Sequence, residues 1–268
     1  MKGIVVIITG ASSGIGKALS QKLAEMGAKV VLAARNVEEI NNISELLNGN
    51  SYDTVAIKVD VTKEEDCEKL INITLAKYGK IDVLVNNAGI SMRAVFEDVD
   101  LKVIHQLMNV NFWGSVYCTK FALPYLLNSK GSIVGVSSIA GFKGLPGRTG
   151  YSASKFALQG FLEVIRIENL KKGLHVLIAC PGFTATNIRK TALNKVGLQQ
   201  GETPRDENKM MTADEVADRI INGIVRRKRT VIMSSDGILT VFLNKFFPAF
   251  VDKLVYNHMA KEVDSPFK

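Results

Sequence analysis

Ile4-Val5-Val6-Ile7-Ile8-Thr9-Gly10-Ala11-Ser12-Ser13-Gly14-Ile15-Gly16 is the stretch on which the fold turns. Ile4 to Thr9 is a continuous run rich in β-branched residues, the pattern of a strand buried on both faces. Glycines at 10, 14 and 16 permit a tight turn and a close approach of backbone to a ligand. A helical pattern follows through Met26, Gly27 closes it, and Lys29 to Ala34 reads as a second strand. The result is a strand–turn–helix–strand unit of about 30 residues. The helix N-terminus aims unpaired N–H groups at the turn, which suits a pyrophosphate. The spacing is Gly-x-x-x-Gly-x-Gly rather than the commoner Gly-x-Gly-x-x-Gly of dinucleotide sites. A plain glycine-rich turn is the alternative, and the flanking strand and helix weigh against it. Gly10, Ser12, Ser13, Gly14, Ile15 and Gly16 are therefore assigned to a dinucleotide cofactor.

The second strand ends in Ala33-Ala34-Arg35-Asn36. An NAD(H) enzyme usually carries a carboxylate here for the ribose 2′-hydroxyl. None is present, and a guanidinium pairs well with a 2′-phosphate. NADP(H) is thus favoured over NAD(H), with Arg35 as the contact. If Arg35 merely faces solvent, the missing acid still argues against NAD(H). Thr54 to Val59 reads as a third strand ending in Asp60-Val61, with Asp60 placed to meet the adenine. Thr62 and Glu65 have capping-box spacing and are expected to start the next helix. Ile81 to Val85 reads as the fourth strand. Asn86-Asn87-Ala88-Gly89 then places small residues where backbone would lie against a cofactor, although an ordinary Asn/Gly turn has the same look. A helical pattern runs from about Asp100 to Asn128, with Pro124 expected to kink it or end its regular part. Asn111 lies inside it amid apolar residues, so its amide needs partners.

Ser132 to Val136 reads as the fifth strand and leads into Ser137-Ser138. Tyr151 follows Ser138 by 13 residues, across a segment rich in glycine that can fold back. A serine at a strand's carboxyl end and a tyrosine opening the next helix can then meet. Tyr151 and Lys155 are four residues apart and share one face of a helix. An ammonium beside a phenol favours its anion, so the tyrosine pKa is expected to fall toward the working pH. That makes Tyr151 a candidate general acid/base. Most Tyr-x-x-x-Lys pairs are solvated helix surface; the glycine-rich turn upstream is what favours the functional reading. This helix is expected to span Tyr151 to Lys172. Val176 to Ala179 reads as the sixth strand and ends at Pro181-Gly182-Phe183-Thr184-Ala185-Thr186. Residues 187–211 read as an irregular substrate loop, a lid or disorder. Thr212 and Glu215 form a second capping box, and Thr230 to Met233 a short seventh strand.

With 268 residues and 47% apolar content the chain can bury one large α/β domain, taken as 1–268 with a hydrophobic extension at 237–268. The net charge of +8 admits nucleic acid, anionic lipid or a phosphorylated ligand. Arg226-Arg227-Lys228-Arg229 reads as a solvated helix end, and no nucleic-acid motif is present, so nucleic acid is not an expected partner. Cys67, Cys118 and Cys180 are read as buried reduced thiols, and the three histidines have no metal spacing, so no metal is expected. The N-terminus reads as neither a signal peptide nor a membrane anchor, and a cytoplasmic location is expected. Residues 237–258 carry only Lys245, Asp252 and Lys253 as charges and are more apolar than a surface helix needs. A sister subunit, a lipophilic pocket and a membrane interface all fit this stretch, so peripheral membrane association stays open.

Taken in order and spacing, Thr9–Gly16, Asp60-Val61, Asn86–Gly89, Asn111, Ser138, Tyr151/Lys155 and Pro181–Thr186 resemble the short-chain dehydrogenase/reductase family over roughly Ile4 to Met233. The resemblance implies a doubly wound, Rossmann-type domain with a seven-stranded parallel sheet in the order 3-2-1-4-5-6-7 and helices on both faces. It implies a catalytic tetrad of Asn111, Ser138, Tyr151 and Lys155. Tyr151 would protonate the substrate oxygen while the nicotinamide gives hydride to the carbonyl carbon. Lys155 would hold the nicotinamide ribose and lower the tyrosine pKa, Ser138 would polarise the carbonyl, and Asn111 would hold a water in the proton relay. Val61, Asn87, Ala88, Gly89, Pro181, Gly182, Thr184 and Thr186 would complete the cofactor contacts. Within the family, Arg35, the Tyr-Ser-Ala-Ser-Lys-Phe-Ala stretch and the apolar C-terminus look like the group with 11β-hydroxysteroid dehydrogenase type 1, acyl-dihydroxyacetone-phosphate reductase and 3-ketodihydrosphingosine reductase. The implied activity is NADPH-dependent reduction of a hydrophobic, lipid-like ketone, or the reverse alcohol oxidation, by a homodimer or homotetramer. A catalytically silent NADP(H)-binding regulator on the same fold is the alternative.

Overall fold

The structure, a computed structural model, describes residues 1–202 and 210–267. Seven parallel strands form one sheet in the order β3-β2-β1-β4-β5-β6-β7. They are β1 (Val5–Thr9), β2 (Lys29–Ala34), β3 (Thr54–Lys58), β4 (Val83–Asn86), β5 (Ser132–Val136), β6 (His175–Cys180) and β7 (Thr230–Ile232). The expected architecture is therefore present, with strand limits within a residue or two of those read from the sequence.

The β-branched run in β1 is explained by its two covered faces. Val6 and Ile8 pack with Leu19 and Leu23 of α1 (Gly14–Glu25), Ile40 and Leu47 of α2 (Val37–Gly49) and Ile220 of α7 (Ala213–Val225). Ile7 points the other way, into Leu70 of α3 (Glu64–Tyr78), Leu126 of α5 (Gly114–Asn128) and Leu162 of α6 (Thr149–Glu168). Alternate residues of one strand thus serve two cores, which is why Val5 to Ile8 are all apolar. Cys67, Cys118 and Cys180 are buried free thiols in or beside the second core.

The region around Asn111 departs from one regular helix. α4 (Leu101–Met108) runs into a π-turn over Asn109–Trp113, and α5 continues from Gly114. Pro124 lies inside α5, which runs on to Asn128, so the proline does not end it. The irregularity falls instead at Asn111. Wide helical turns of this kind free backbone groups and often mark functional sites. The first expected capping box is absent. Helix α3 begins at Glu64 with Lys63 as its cap, because Thr62 is engaged elsewhere: its N–H and hydroxyl both donate to Asp60 Oδ1, at 3.0 and 2.8 Å. The second box forms, with the Thr212 hydroxyl accepting from the Glu215 N–H at 3.1 Å and the Glu215 carboxylate accepting from the Thr212 N–H at 2.8 Å. Helix α6 stops at Glu168, and a short 3₁₀ turn covers Leu170–Lys172.

The apolar C-terminal stretch folds as a helical hairpin of α8 (Ser235–Phe246) and α9 (Pro248–Ala260), with Pro248 opening the second helix. Among the described residues, no helix is long and apolar enough to cross a membrane. The loop after β6 is pinned rather than free where it is described. Leu193 bridges to Met92 and is buried with Val103 and Leu107. Its residues 203–209 lie outside the described residues.

Candidate active site at the carboxyl edge of the sheet

Strand order reverses between β1 and its neighbours β2 and β4, so a crevice opens at the carboxyl ends there. The crevice is tied shut at its base. The Thr9 hydroxyl accepts the N–H groups of Asn87 and Ala88, both at 3.0 Å, and the Asn87 side-chain amide donates to the carbonyls of Thr9 (2.8 Å) and Gly10 (3.2 Å). Gly10 and Gly14 have φ of +66° and +52°, which L side chains rarely adopt. A Cβ on Gly16 would lie 2.3 Å from the Gly10 carbonyl, so helix α1 can approach the turn only with glycine there. Ser13 caps α1 in extended conformation without a side-chain bond to the helix.

A cavity of about 580 Å³ fills this crevice. Gly10, Ser12, Ser13, Gly14 and Ile15 line one end, with Arg35, Asp60, Val61, Asn87, Ala88 and Gly89 beside them. Ser138, Tyr151, Lys155, Pro181, Gly182, Thr184 and Thr186 line the rest. Two residues read from the sequence are not in the wall. Gly16 sits beneath the turn, and Asn111 lies behind Gly89, where a Cβ on that glycine would meet the Asn111 Oδ1 at 3.3 Å and the Lys155 Nζ at 3.5 Å. Asp60 lines the cavity, with one carboxylate oxygen engaged by Thr62.

Asn111 accepts the Ile90 N–H at 2.8 Å and donates to the Ile90 carbonyl at 3.0 Å and to the Ser154 hydroxyl at 2.9 Å. Ser154 and Gln159 are side chains that the motif reading passed over and that also build the site. Gln159 donates to the Ser137 hydroxyl at 2.8 Å. These are local polar residues without a distinctive spacing, and only their burial marks them. Lys155 is buried, and its Nζ donates to the Val136 carbonyl at 2.8 Å and lies 5.7 Å from the centre of the Tyr151 ring.

A profile of the family described as short chain dehydrogenase matches residues 4–197. The chain belongs to that family. Among its curated relatives is an 11-beta-hydroxysteroid dehydrogenase A of Sesamum indicum, 34% identical over 262 residues, covering 93% of this chain and 74% of the relative. A short chain dehydrogenase/reductase from Burkholderia phymatum, solved with NAD, superposes with a TM-score of 0.84 at 23% identity, covering 93% of this chain and 95% of that one. An alcohol dehydrogenase from Thermococcus sibiricus, solved with 5-hydroxy-NADP, gives 0.76 at 25% identity over 86% of this chain and 95% of that one.

In this member of the short chain dehydrogenase family a second cavity of about 730 Å³ meets the first at Ser138, Tyr151, Gly182, Thr184 and Ile188. Leu239 and Leu243 from α8, with Val251 and Leu254 from α9, give its far wall an apolar surface that Asp236, His258, Lys261 and Glu262 interrupt. The C-terminal segment therefore closes a largely apolar chamber with charged breaks over the Tyr151 side of the crevice.

The electrostatics correct one expectation. Burial pushes the Tyr151 phenol above the usual tyrosine pKa, with the Ser138 hydrogen bond and the Arg148 guanidinium pulling it partly back. The lysine does not bring it down, because Lys155 is itself desolvated, and burial drives its pKa down to about 8. Cys180 is pushed up to about 12 by burial. The sign of the lysine effect on stability follows from linkage. The folded-state pKa lies below the unfolded 10.5, so the folded state gains stability as pH rises from about 8 and holds it fully above 10.5. The buried ammonium is the destabilising form. On nucleotide-free protein, urea denaturation should show wild type gaining on Lys155→Met by up to about 3 kcal/mol between pH 7 and 10.5. A constant difference across that range would mean that the ammonium is solvated.

Proposed function

We propose that this chain transfers hydride between NADP(H) and the carbonyl carbon of a hydrophobic ketone, or runs the reverse oxidation of the alcohol. One observation carries the reading: Tyr151 and Ser138 stand at the junction between a glycine-lined crevice and a second, largely apolar chamber, with Lys155 in the crevice wall beside them. The nicotinamide would supply the hydride. The residues present fit such a cofactor. Gly10 and Gly14 admit close backbone, and the open N-terminus of α1 suits a pyrophosphate. Gly182 and Thr184 border the junction at Tyr151, Thr186 lies against Gly14 across the crevice, and together with Pro181 they would hold the nicotinamide half of the cofactor. The chain would act as one domain, with the described part of the loop after β6, through Ile188 and Leu193 in the crevice wall, beside the substrate.

Each side chain then has a task. Ser138 would polarise the substrate oxygen through its hydroxyl, and Tyr151 would give that oxygen its proton. Lys155 would hold the ribose. A pKa of about 8 lets this lysine take and release protons near neutral pH, which suits resupply of the phenol. Asn111 would support this line from behind Gly89, since its amide already fixes the Ile90 backbone. The leucines and valine of the hairpin would receive the apolar body of the substrate, and hydroxysteroids, named in the Sesamum relative, belong in the first test panel.

NADP(H) over NAD(H) rests on the end of β2. Arg35 is exposed at the rim of the crevice, no acid follows the strand, and Asn36 is occupied in capping α2 through the Glu39 N–H.

The outer face of the hairpin carries a further reading. Phe242, Phe246, Phe247 and Phe250 are 55–63% exposed around the α8–α9 turn, with Lys245 and Lys253 beside them. Four exposed rings flanked by cations suit the surface of an anionic bilayer. Self-association, as a homodimer or homotetramer, is assigned instead to the helical stretches 101–128 and 151–172. Trp113 of the π-turn and Phe156 and Ile167 of α6 are exposed there, and the buried Arg166 leaves Nε and Nη1 without partners.

NADPH oxidation with a panel of lipophilic ketones should fall by roughly 10²–10⁴ in Tyr151→Phe, while nucleotide binding, read by fluorescence, stays intact. Undiminished turnover would remove Tyr151 as the acid. Arg35→Ala should weaken NADPH about tenfold or more and leave NADH unchanged; equal losses for both would assign no 2′-phosphate contact to Arg35. A Phe246→Ser/Phe250→Ser variant should lose co-sedimentation with anionic vesicles and keep its oligomeric mass by light scattering. If mass drops and sedimentation holds, the hairpin belongs to a sister subunit.

A further inference from the structure

We propose that Glu262, in the C-terminal segment after α9, is a positioning residue for the proton donor: it holds Arg148 in the chamber wall so that the guanidinium faces the Tyr151 phenol. The proposal rests on the reading of Tyr151 as the acid. Arg148 immediately precedes α6 and stands three residues, about one turn, ahead of Tyr151. Both line the 730 Å³ chamber together with Glu262. The Glu262 carboxylate is only 4% exposed, and one oxygen lies 3.7 Å from Arg148 Nη2 and 3.6 Å from Arg93 Nε. One buried anion thus sits between two cations. Arg93 also donates to the Val263 carbonyl, and Arg148 Nη1 donates to the Gly147 carbonyl at 3.2 Å. The backbone joins the same pieces, with the Ala94 N–H donating to the Gly147 carbonyl at 3.1 Å.

Such a buried pair is a poor device for stability alone. Desolvating the charges costs about what their attraction returns, and apolar replacements of equal volume are often as stable. Its place beside the acid gives it a use. The groups facing Tyr151 come from several elements. Ser138 follows β5, Lys155 is on α6, Cys180 ends β6, Arg148 opens α6, and Asp236, His258, Lys261 and Arg189 stand further along the chamber wall. Among these cations, Arg148 is the one that pulls the phenol's pKa down against burial, while the Cys180 thiol pushes it up. A guanidinium stays charged throughout the working range and can do this at any pH. Tethering it keeps it from turning to solvent, where screening would cancel its effect.

The test reads the phenol directly and needs no substrate. Protein labelled with ¹³C at tyrosine Cζ is titrated by NMR, and the Tyr151 signal is assigned by its loss in Tyr151→Phe. Arg148→Met should lower the ionised fraction of Tyr151 at a fixed alkaline pH by about threefold, an upward move of half a unit. Arg148→Lys should restore most of it. Glu262→Gln separates two roles by sign. If the carboxylate acted through its own charge, its loss would ease ionisation. If it positions Arg148, its loss should hinder ionisation, and Glu262→Asp should recover part of the effect. Should Glu262→Gln fail to fold, Arg148→Met against Arg148→Lys decides. No change in Arg148→Met, or easier ionisation in Glu262→Gln, overturns the proposal. An inactive enzyme that shows the expected shifts would instead count against the reading of Tyr151 as the acid.

Discussion

Thr9 closes β1 with a hydroxyl that accepts two backbone N–H groups from the turn after β4 and donates to the Val85 carbonyl at 3.3 Å. Asn87 returns two bonds to the carbonyls of Thr9 and Gly10. Five hydrogen bonds therefore join the ends of two parallel strands at the place where chain order reverses. Parallel neighbours otherwise splay apart at their carboxyl ends as their connections leave for opposite faces. The clamp sets the width of the crevice, and glycine at 16 lets helix α1 approach to the depth that the clamp allows. Every other site residue is placed relative to this fixed corner.

The reactive pair is placed at the cost of solvation. Lys155 and Tyr151 are both withdrawn from water, and burial moves each toward its neutral form. A neutral phenol is the form that can donate a proton. A lysine driven toward neutrality near physiological pH can exchange one. The surrounding polar atoms keep this arrangement rigid: the Val136 carbonyl holds the ammonium, while Asn111 spans Ile90 and Ser154 from the π-turn. A regular helix at 109–113 would point its backbone groups inward on themselves. The wider turn instead belongs to the part of the helix that faces the site.

The second chamber is walled from the other end of the chain. The hairpin of α8 and α9 adds nothing to the sheet; it supplies the apolar wall over Tyr151 and leaves its phenylalanines outside. The segment after it reaches back to the start of α6 through Glu262 and Arg148. Elements far apart in sequence thus line one chamber with the Tyr151 phenol.

The strands were legible because their signals are local, whereas their order was carried by the resemblance to a family. Ile4–Thr9 had to be buried on both faces, and glycines at 10, 14 and 16 had to follow a strand and open a helix. The residues of the crevice were legible for the same reason, as 18 positions named from motifs line the cavity. Short-range rules failed where a residue had a better partner at hand. Thr62 bonded to Asp60 instead of capping α3. The direction of the tyrosine pKa was misjudged because a four-residue spacing gives neighbours but not their solvent. Sequence alone determined the strands, the glycine turn and the spacing of the Tyr151/Lys155 pair, since each depends on steric and hydrogen-bonding limits within a few residues, while the strand order came only from the family resemblance. Tertiary structure alone decided how dry that pair is, which cation faces the phenol and what walls the chamber, because burial and charge are sums over residues that only the folded chain brings together.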